Sequence, residues 1–510
     1  MRYGFVIDQN KCIGCHACTV ACKAENAVPL GNFRTWVKYV EEGKFPDTQR
    51  QFAVLRCNHC DNAPCVNICP VKALYTRPDG IVDFDQQECI GCKACMQACP
   101  YDALYINPQT ETAQKCNFCA HRVDVGLQPA CVIVCPEQAI ITGDLDNPQS
   151  HISQLLSKDR GVTRKPEQGT RPKLYYLGSG KSVLKPELQK RENSYLWSQT
   201  GLDAQTLDLQ AFIAKAEAKA RTAYDVPHHA PWGWRVWAYL WTKSIATGAF
   251  FLPAFAFVMG WQESNSLLIG TIVSLIFQTI TGALLVADLR RPDRFLRILL
   301  RPQWKSWLAI GAYILTAFGG VSTLVLLSET FNYHSLTYFL AIPGAILAIL
   351  SAIYSGFLFA QAEGRDFWQS RLTTPHLFFQ AVLAGAGAIT FVAPIANLFA
   401  GNPFSSSYVQ RSLMVGLVGH LSFMLLEAFL PTFTKTKPQM ADAKRATKLL
   451  THGPYWYQFW VNAVFFGALL PTIFLILGWL PTFLVAFLGL TGLYTYERLW
   501  IKVGQAVPLS

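Results

Sequence analysis

The sequence predicts two domains of different class on one chain: an α+β tandem at the N-terminus and an all-α membrane domain of eight transmembrane helices. Three observations predict it. Sixteen cysteines fall in four quartets, and none lies beyond Cys135 in a chain of 510 residues. The quartets share a repeated phrase, so the first domain is an internally duplicated unit. From about Trp234 onward, apolar runs of near twenty residues recur, the length that crosses a bilayer. The expected limits are residues 1–144 for the cysteine domain, 145–233 for a linker and 234–510 for the membrane domain.

The quartets are Cys12-Cys15-Cys18-Cys22, Cys57-Cys60-Cys65-Cys69, Cys89-Cys92-Cys95-Cys99 and Cys116-Cys119-Cys131-Cys135. The first and third read C-x2-C-x2-C-x3-C. That spacing wraps three thiolates around one iron–sulfur cubane and sends the fourth to another cluster. Structural zinc uses CxxC pairs far apart in sequence, and disulfides need longer spacings and an oxidising compartment; neither suits three cysteines within seven residues. The phrase after the last thiolate repeats as Cys69-Pro70, Cys99-Pro100 and Cys135-Pro136, each followed by a short apolar strand; the first quartet has Lys23 in place of the proline. Each pair of quartets is therefore expected to form a ferredoxin-like unit with two [4Fe-4S] clusters. The wider spacings in the second and fourth quartets mark loop insertions.

Four quartets in this order resemble the four-cluster electron-transfer subunit of the molybdopterin oxidoreductases, the dimethylsulfoxide and polysulfide reductase group. The resemblance implies pairing of the first quartet with the fourth and the second with the third. It assigns one cluster to Cys12, Cys15, Cys18 and Cys135, and a second to Cys116, Cys119, Cys131 and Cys22. A third takes Cys57, Cys60, Cys65 and Cys99. The fourth takes Cys89, Cys92, Cys95 and Cys69 and, by the same likeness, lies nearest the membrane. With cysteine at position 92, all four are expected to be cubanes.

The expected spans are 235–260, 264–287, 306–328, 335–361, 376–400, 411–431, 456–478 and 480–497. Their loops carry an orientation signal. Arg290, Arg291, Arg294, Arg297, Arg301 and Lys305 follow the second span, Arg365 and Arg371 the fourth, and Lys435, Lys437, Lys444, Arg445 and Lys448 the sixth. The opposite loops carry none, and only Arg411 borders that side. Both termini and the cluster domain are thus expected in the cytoplasm, at an inner membrane. Much of the net charge of +11 is this signal, which leaves little support for nucleic-acid binding. The start Met1-Arg2-Tyr3-Gly4-Phe5-Val6 has neither a twin arginine nor a signal-peptide core, in agreement.

Residues Asp288–Arg297, Arg301–Leu308, Tyr354-Ser355-Gly356, Gln361–Trp368 and Gly504–Ser510 resemble the NrfD-like membrane subunit of polysulfide reductase. The resemblance implies eight helices in two four-helix bundles, a quinone site (menaquinone or ubiquinone) in the first bundle, and no haem. It also implies that a tyrosine of the fourth helix contacts quinone, and Tyr354 matches that motif. Among residues within spans, only His376 and His420 are candidate haem ligands, so no haem is expected. In the linker, Ala204–Ala223 reads as an amphipathic helix, and Pro227–Trp234 as a solvated turn with interfacial tryptophans.

Ionisable residues inside spans are functional candidates. Lys243 lies eight residues into the first span, about 12 Å deep; it is a candidate donor to a quinone carbonyl or, alternatively, an ion-pair partner of Asp288. Tyr354 lies at similar depth. His420 and Glu427, seven apart on one face of the sixth span, read as a proton file. Asp288 and Glu363 read as interface charges with a possible role in proton entry. The chain has no pterin-binding domain, so a separate molybdenum or tungsten pterin oxidoreductase is the expected partner, with electron transfer to or from quinone as the expected function. A quinone-driven proton translocator and a plain membrane anchor are the rival expectations.

Overall fold

The computed structural model describes residues 1–191, 220–400, 404–430 and 437–510. The N-terminal domain grows out of its cysteine loops. Cys12–Cys18 and Cys89–Cys95 share the order Cys-Ile-Gly-Cys-x-Ala-Cys, and their backbones repeat as well. Gly14 and Gly91 have φ of 73° and 69°, and His16 and Lys93 follow at 60° and 64°. Left-handed residues of this kind curl successive N–H groups around one point and favour a negatively charged guest.

A short helix follows each loop: Ala17–Glu25, Pro64–Ile68, Ala94–Ala98 and Ala130–Ile133. A proline ring pushes the preceding residue out of helical geometry. Accordingly Cys69 and Cys99 are extended, both with ψ of 116°, and their helices stop after five residues. Where Lys23 replaces the proline, the helix runs for nine.

The described strands are β1 (Tyr3–Asp8), β2 (Thr35–Lys44), β3 (Asp47–Arg56), β4 (Leu74–Thr76), β5 (Val82–Phe84), β6 (Leu104–Asn107), β7 (Thr112–Lys115), β8 (Ile140–Asp144), β9 (Leu174–Leu177), β10 (Gln189–Arg191) and β11 (Ala220–Tyr224). They form sheets β8-β1-β9 and β10-β11-β2-β3 and the hairpins β4-β5 and β6-β7. Strand β1 pairs antiparallel with β8 and parallel with β9, so the first and fourth quartets are joined through one sheet.

The expected linker is shorter than its sequence suggests. Residues 145–191 belong to the cluster domain. Helix His151–Lys158, capped by Ser150 Oγ accepting from the Ser153 amide, buries Ile152 against Val6, and β9 completes the central sheet. Residues 204–219 of the expected amphipathic helix lie outside the described residues, and its end is not helical: Ala220–Tyr224 is a strand on β2. Pairing partners remote in sequence override the local helical period.

The expected solvated turn at Pro227–Trp234 holds in part: His229, Ala230, Gly233 and Trp234 are exposed, whereas His228 and Trp232 are drawn into the structure. His228 is largely buried; its Nδ1 lies 2.6 Å from Asp102 and its Nε2 3.7 Å from Asp225 and 3.2 Å from Ser510 Oγ. Burial opposes its charge, but Asp102 and Asp225 outweigh that and raise the imidazole to about 9. Asp102 is held at about 2 despite its burial, chiefly by His228. The His228 contribution to stability is complete below the ordinary histidine range and disappears as pH rises through about 9. The Asp102 contribution disappears only as pH falls through about 2. The expected result is a melting temperature that declines between pH 7 and 9.5, and a His228→Gln variant in which that decline is largely absent.

Among the described residues, seven helices are long and apolar enough to cross a membrane. They are α1 (Trp234–Val258), α2 (Ser264–Asp288), α3 (Trp307–Thr330), α4 (His334–Ala360), α5 (Thr373–Ala400), α6 (Ser406–Phe429) and α7 (Gln458–Leu477). The first twelve residues of α7 are π-helical. An eighth helix, α8 (Thr482–Gly504), has the length, but Glu497, Arg498 and Lys502 lower its hydropathy. The segment Lys437–Thr451, expected within a basic loop, is a further helix.

Helices α1 and α5 are the inner ones, 72% and 61% buried against 22–33% for the other five spans. They touch backbone to backbone: a Cβ on Gly248 would stand 1.8 Å from the Ala381 carbonyl oxygen, and one on Gly385 2.1 Å from the Gly248 carbonyl carbon. In lipid, association rests on such close packing, which small residues permit.

The two domains share one core. Cys65, Cys69, Cys95 and Cys99 pack in the same buried cluster as Trp232, Tyr239, Phe359, Trp368 and Trp500. The arginines read as an orientation signal also form the joint. Arg294 donates to the carbonyls of Gln86 (2.7 Å) and Cys89 (2.9 Å), Arg297 to that of Gln87, and Arg301 to Glu88 (2.8 Å). Gly91 is required there, since a Cβ would meet Arg290 Cβ at 2.5 Å.

Candidate functional site

All sixteen cysteines are free thiols. Folding brings the quartets together crosswise. Cys22 lines one cavity with Cys116, Cys119 and Cys131, and Cys69 lines another with Cys89, Cys92 and Cys95. Cys12 has Cys135 and Cys15 as its neighbouring thiols, and Cys65 has Cys99, Cys57 and Cys60, with Lys115 beside them. The donor set fits iron–sulfur clusters. N–H groups already point at sulfur: Ala139 N to Cys135 (3.3 Å), Ala113 N to Cys89 (3.4 Å), His59 N to Cys57 (3.4 Å) and Asn26 Nδ2 to Cys22 and Cys119 (3.7 Å each). Burial pushes the thiols of Cys18 up to about 11 and of Cys92 and Cys116 up to about 12. Bare thiolates are disfavoured in such places, so the group they hold must bring positive charge, as iron does.

The membrane candidates meet at one buried point. Lys243 on α1 is 1% exposed, and its Nζ donates to Ala352 O (2.9 Å) and Ser355 Oγ (2.7 Å) on α4. It sits 5.0 Å over the ring of Tyr354, which is itself buried. Tyr354 packs so closely on α3 that a Cβ at Gly311 would lie 2.2 Å from its ring. Asp288 is not the partner of Lys243. It pairs instead with Lys93 at 2.9 Å, in the loop between Cys92 and Cys95, because the joint places that loop directly over the end of α2.

The sixth-span candidates form a closed network. Glu427 and His420 do not touch directly: His376 of α5 stands between them, with Nδ1 3.2 Å from Glu427 Oε1 and Nε2 2.8 Å from His420 Nδ1. Tyr496 of α8 donates to Glu427 Oε2 and lies 3.4 Å from His376 Nδ1. Four groups from three helices thus make one proton-exchanging file, and His420 Nε2, buried, is left without a partner among the described residues.

Residues 224–495 match the family described as Polysulphide reductase, NrfD, which is more than half of the chain. The protein belongs to the polysulphide reductase NrfD family. Ahead of its NrfD domain, residues 3–24 match a 4Fe-4S binding domain and residues 48–145 a 4Fe-4S dicluster domain. The chain is similar to a tetrathionate reductase subunit of Salmonella typhimurium, 47% identical over 39% of this chain and 80% of that protein. It is also similar to a polysulfide reductase polypeptide of Wolinella succinogenes, 43% identical over 34% of this chain and 94% of that protein. The arsenate respiratory reductase iron-sulfur subunit of a Shewanella species is 37% identical over 35% of this chain and 97% of that protein. An iron–sulfur electron-transfer subunit and an NrfD membrane anchor are therefore fused here in one multi-pass membrane protein.

Several residues around the NrfD site are not legible in the sequence as members of it. His376 stands out there only as a haem candidate at a helix end, and Glu497 only as the end of an apolar run. Yet Glu497 is 2% exposed, both carboxylate oxygens lack hydrogen-bond partners among the described residues, and its main electrostatic partner is Lys243. Tyr496 and Glu497 are adjacent on α8, so this helix reaches the His376 network with one residue and the Lys243 site with the next. The tryptophans also divide: Trp234 is exposed, whereas Trp232 is buried, donates from Nε1 to Cys92 O (3.4 Å) and stacks on Trp368 (5.5 Å). The sequence signal available for His376, Tyr496 and Glu497 is the presence of polar or charged residues within apolar helices.

Proposed function

We propose that this protein passes electrons between the membrane quinone pool and a separate molybdenum or tungsten pterin oxidoreductase in the cytoplasm. Four [4Fe-4S] clusters form the wire, on the ligand sets given by crossed pairing of the quartets. The observation that carries the reading is the joint at Lys93 and Asp288. It fixes the Cys69/Cys89/Cys92/Cys95 loop to the end of α2, above the buried Lys243–Tyr354 site. Quinone reduction consumes two electrons and two protons, so its site needs a cluster nearby, donors at the carbonyls and proton-exchanging groups. The clusters supply single electrons when bound. Lys243 is assigned to hold a quinone carbonyl oxygen through its N–H donors, Tyr354 to position the ring, and Glu497 to exchange a proton there. Asp288 holds the joint and stays outside the chemistry. Counting α8, eight helices span the membrane, four on each side of the α1–α5 contact. The arginine-rich ends beside the cluster domain face the cytoplasm by the positive-inside rule.

In the test, membranes containing the protein are reduced with dithionite and freed of excess reductant, and a quinone analogue is added. Prompt reoxidation of the clusters is expected. No reoxidation with sixteen irons present per chain would sink the reading.

The His376–His420–Glu427–Tyr496 network favours a second role, proton movement coupled to quinone redox. A Glu427→Gln variant is expected to keep electron flow within about twofold while losing the accompanying pH gradient in sealed vesicles. An unchanged gradient rules the coupling out.

A further inference from the structure

The cavity of Cys22, Cys116, Cys119 and Cys131 differs in its charge from that of Cys69, Cys89, Cys92 and Cys95. Two arginines line it, Arg34 at 5% and Arg56 at 1% exposure. Arg56 Nη1 donates to Cys131 Sγ at 3.1 Å, while its Nε and Nη2 are buried without partners among the described residues. Its guanidinium otherwise lies over the Phe5 ring, at 4.7 Å. Arg34 donates to neutral oxygens, those of Asn26 (2.8 Å), Asn117 (3.3 Å) and Gln114 (3.2 Å). Among the described residues neither arginine makes a salt bridge. Lys115, next in sequence to Cys116, donates to the carbonyls of Val82 and Cys116 and is likewise not matched to a carboxylate among the described residues.

The cavity of Cys69, Cys89, Cys92 and Cys95 is the contrast. Its cation, Lys93, is neutralised by Asp288 at 2.9 Å. Buried guanidinium groups are permanently charged. In a low-dielectric interior an uncompensated charge acts strongly on its neighbours. A cluster held by four thiolates is negative and gains one more negative charge when it accepts an electron. Nearby fixed positive charge and N–H donation to sulfur both stabilise the reduced form and raise the potential.

We infer that Arg56, assisted by Arg34, raises the reduction potential of the cluster of Cys22, Cys116, Cys119 and Cys131 above that of the cluster of Cys69, Cys89, Cys92 and Cys95, so that of these two it is the one that holds a single electron. This rests on the four-cluster reading above. No bond forms or breaks; one electron enters the cluster from a neighbouring cluster, and the arginines stay protonated.

The test is a redox titration followed by electron paramagnetic resonance on the full-length protein in detergent, with iron counted per chain. Removing the charge in Arg56→Gln should lower the midpoint of that cluster by at least tenfold in electron affinity, about 59 mV for one electron. Arg56→Lys should keep it near the wild-type value. The same signal should be the one altered by Cys119→Ser. Should Arg56→Gln fail to retain iron, titrations of Cys119→Ser and Cys92→Ser still decide: the signal altered by Cys119→Ser must have a higher midpoint than the one altered by Cys92→Ser. Unmoved midpoints in Arg56→Gln with four clusters present, or a signal altered by Cys119→Ser whose midpoint is no higher than that altered by Cys92→Ser, overturns the assignment. Fewer than four clusters in the wild-type protein overturns the four-cluster reading instead.

Discussion

Replacing Lys243 by methionine will slow the quinone-dependent reoxidation of the reduced clusters by at least about a hundredfold while leaving the iron content unchanged. Lys243 is the one lysine buried within the described spans, and its Nζ already donates to Ala352 O and Ser355 Oγ above the Tyr354 ring. A quinone arriving there meets a preformed donor whose main electrostatic partner is the buried Glu497. Methionine has similar length and fits an apolar site, so packing is preserved and the loss falls on charge and proton exchange. Removal of a positioned proton-transfer group typically slows a step by about 10²–10⁴-fold. Stopped-flow absorbance of the clusters after quinone addition measures it. A rate within about twofold of wild type would show that Lys243 is only a packed, satisfied lysine.

The second large effect is expected at Arg365. This residue is 8% exposed and sits where three segments meet. Its Nε donates to Gln97 Oε1 at 3.0 Å, between Cys95 and Cys99, and its Nη1 to the carbonyls of Gln505 (3.1 Å) and Val507 (2.9 Å). Gln505 in turn bonds Gln97 at 2.6 Å and both backbone groups of Trp232 at 3.0 Å. Burial lowers the guanidinium to about 10, so it is still charged at neutral pH. Arg365→Met leaves three buried acceptors without their donor, at about 1–3 kcal/mol each. The cluster domain should loosen from the membrane domain by about 3 kcal/mol or more. Thermal bleaching of the iron–sulfur absorbance will shift to lower temperature, and quinone reoxidation will slow with it. Bleaching that coincides with that of the wild type would mean that the arginine ladder of the α2–α3 loop suffices alone.

What can be read from the chain alone divides by range. The repeated Cys-Ile-Gly-Cys-x-Ala-Cys phrase and the prolines after Cys69 and Cys99 act within a few residues, so loop and helix end follow directly from them. Apolar run length is equally local, and the membrane helices lie close to the expected spans. Differences of extent arise where a partner intervenes. Helix α6 starts at Ser406, five residues before the expected 411, and α8 runs to Gly504, seven beyond 497, because its end is held by Arg365 and Trp232. Ala220–Tyr224 is a strand because β2 offers it an edge.

The site divides in the same way. His420 and Glu427 share a helix face, and their seven-residue spacing makes that visible. His376 and Tyr496 join them from positions 44 and 76 residues from His420, and nothing in a helix's own period states which neighbour its charged residue will face. By itself, the sequence determined that this is an iron–sulfur protein built onto a membrane bundle, because cysteine spacing and apolar length are properties of short stretches. Only the tertiary structure decided that Asp288 serves Lys93 rather than Lys243, that the arginine loop is a joint as well as an orientation signal, and that Arg34 and Arg56 stand uncompensated beside Cys131. Those facts depend on which charges are brought together out of water, and that is settled by packing across the whole chain.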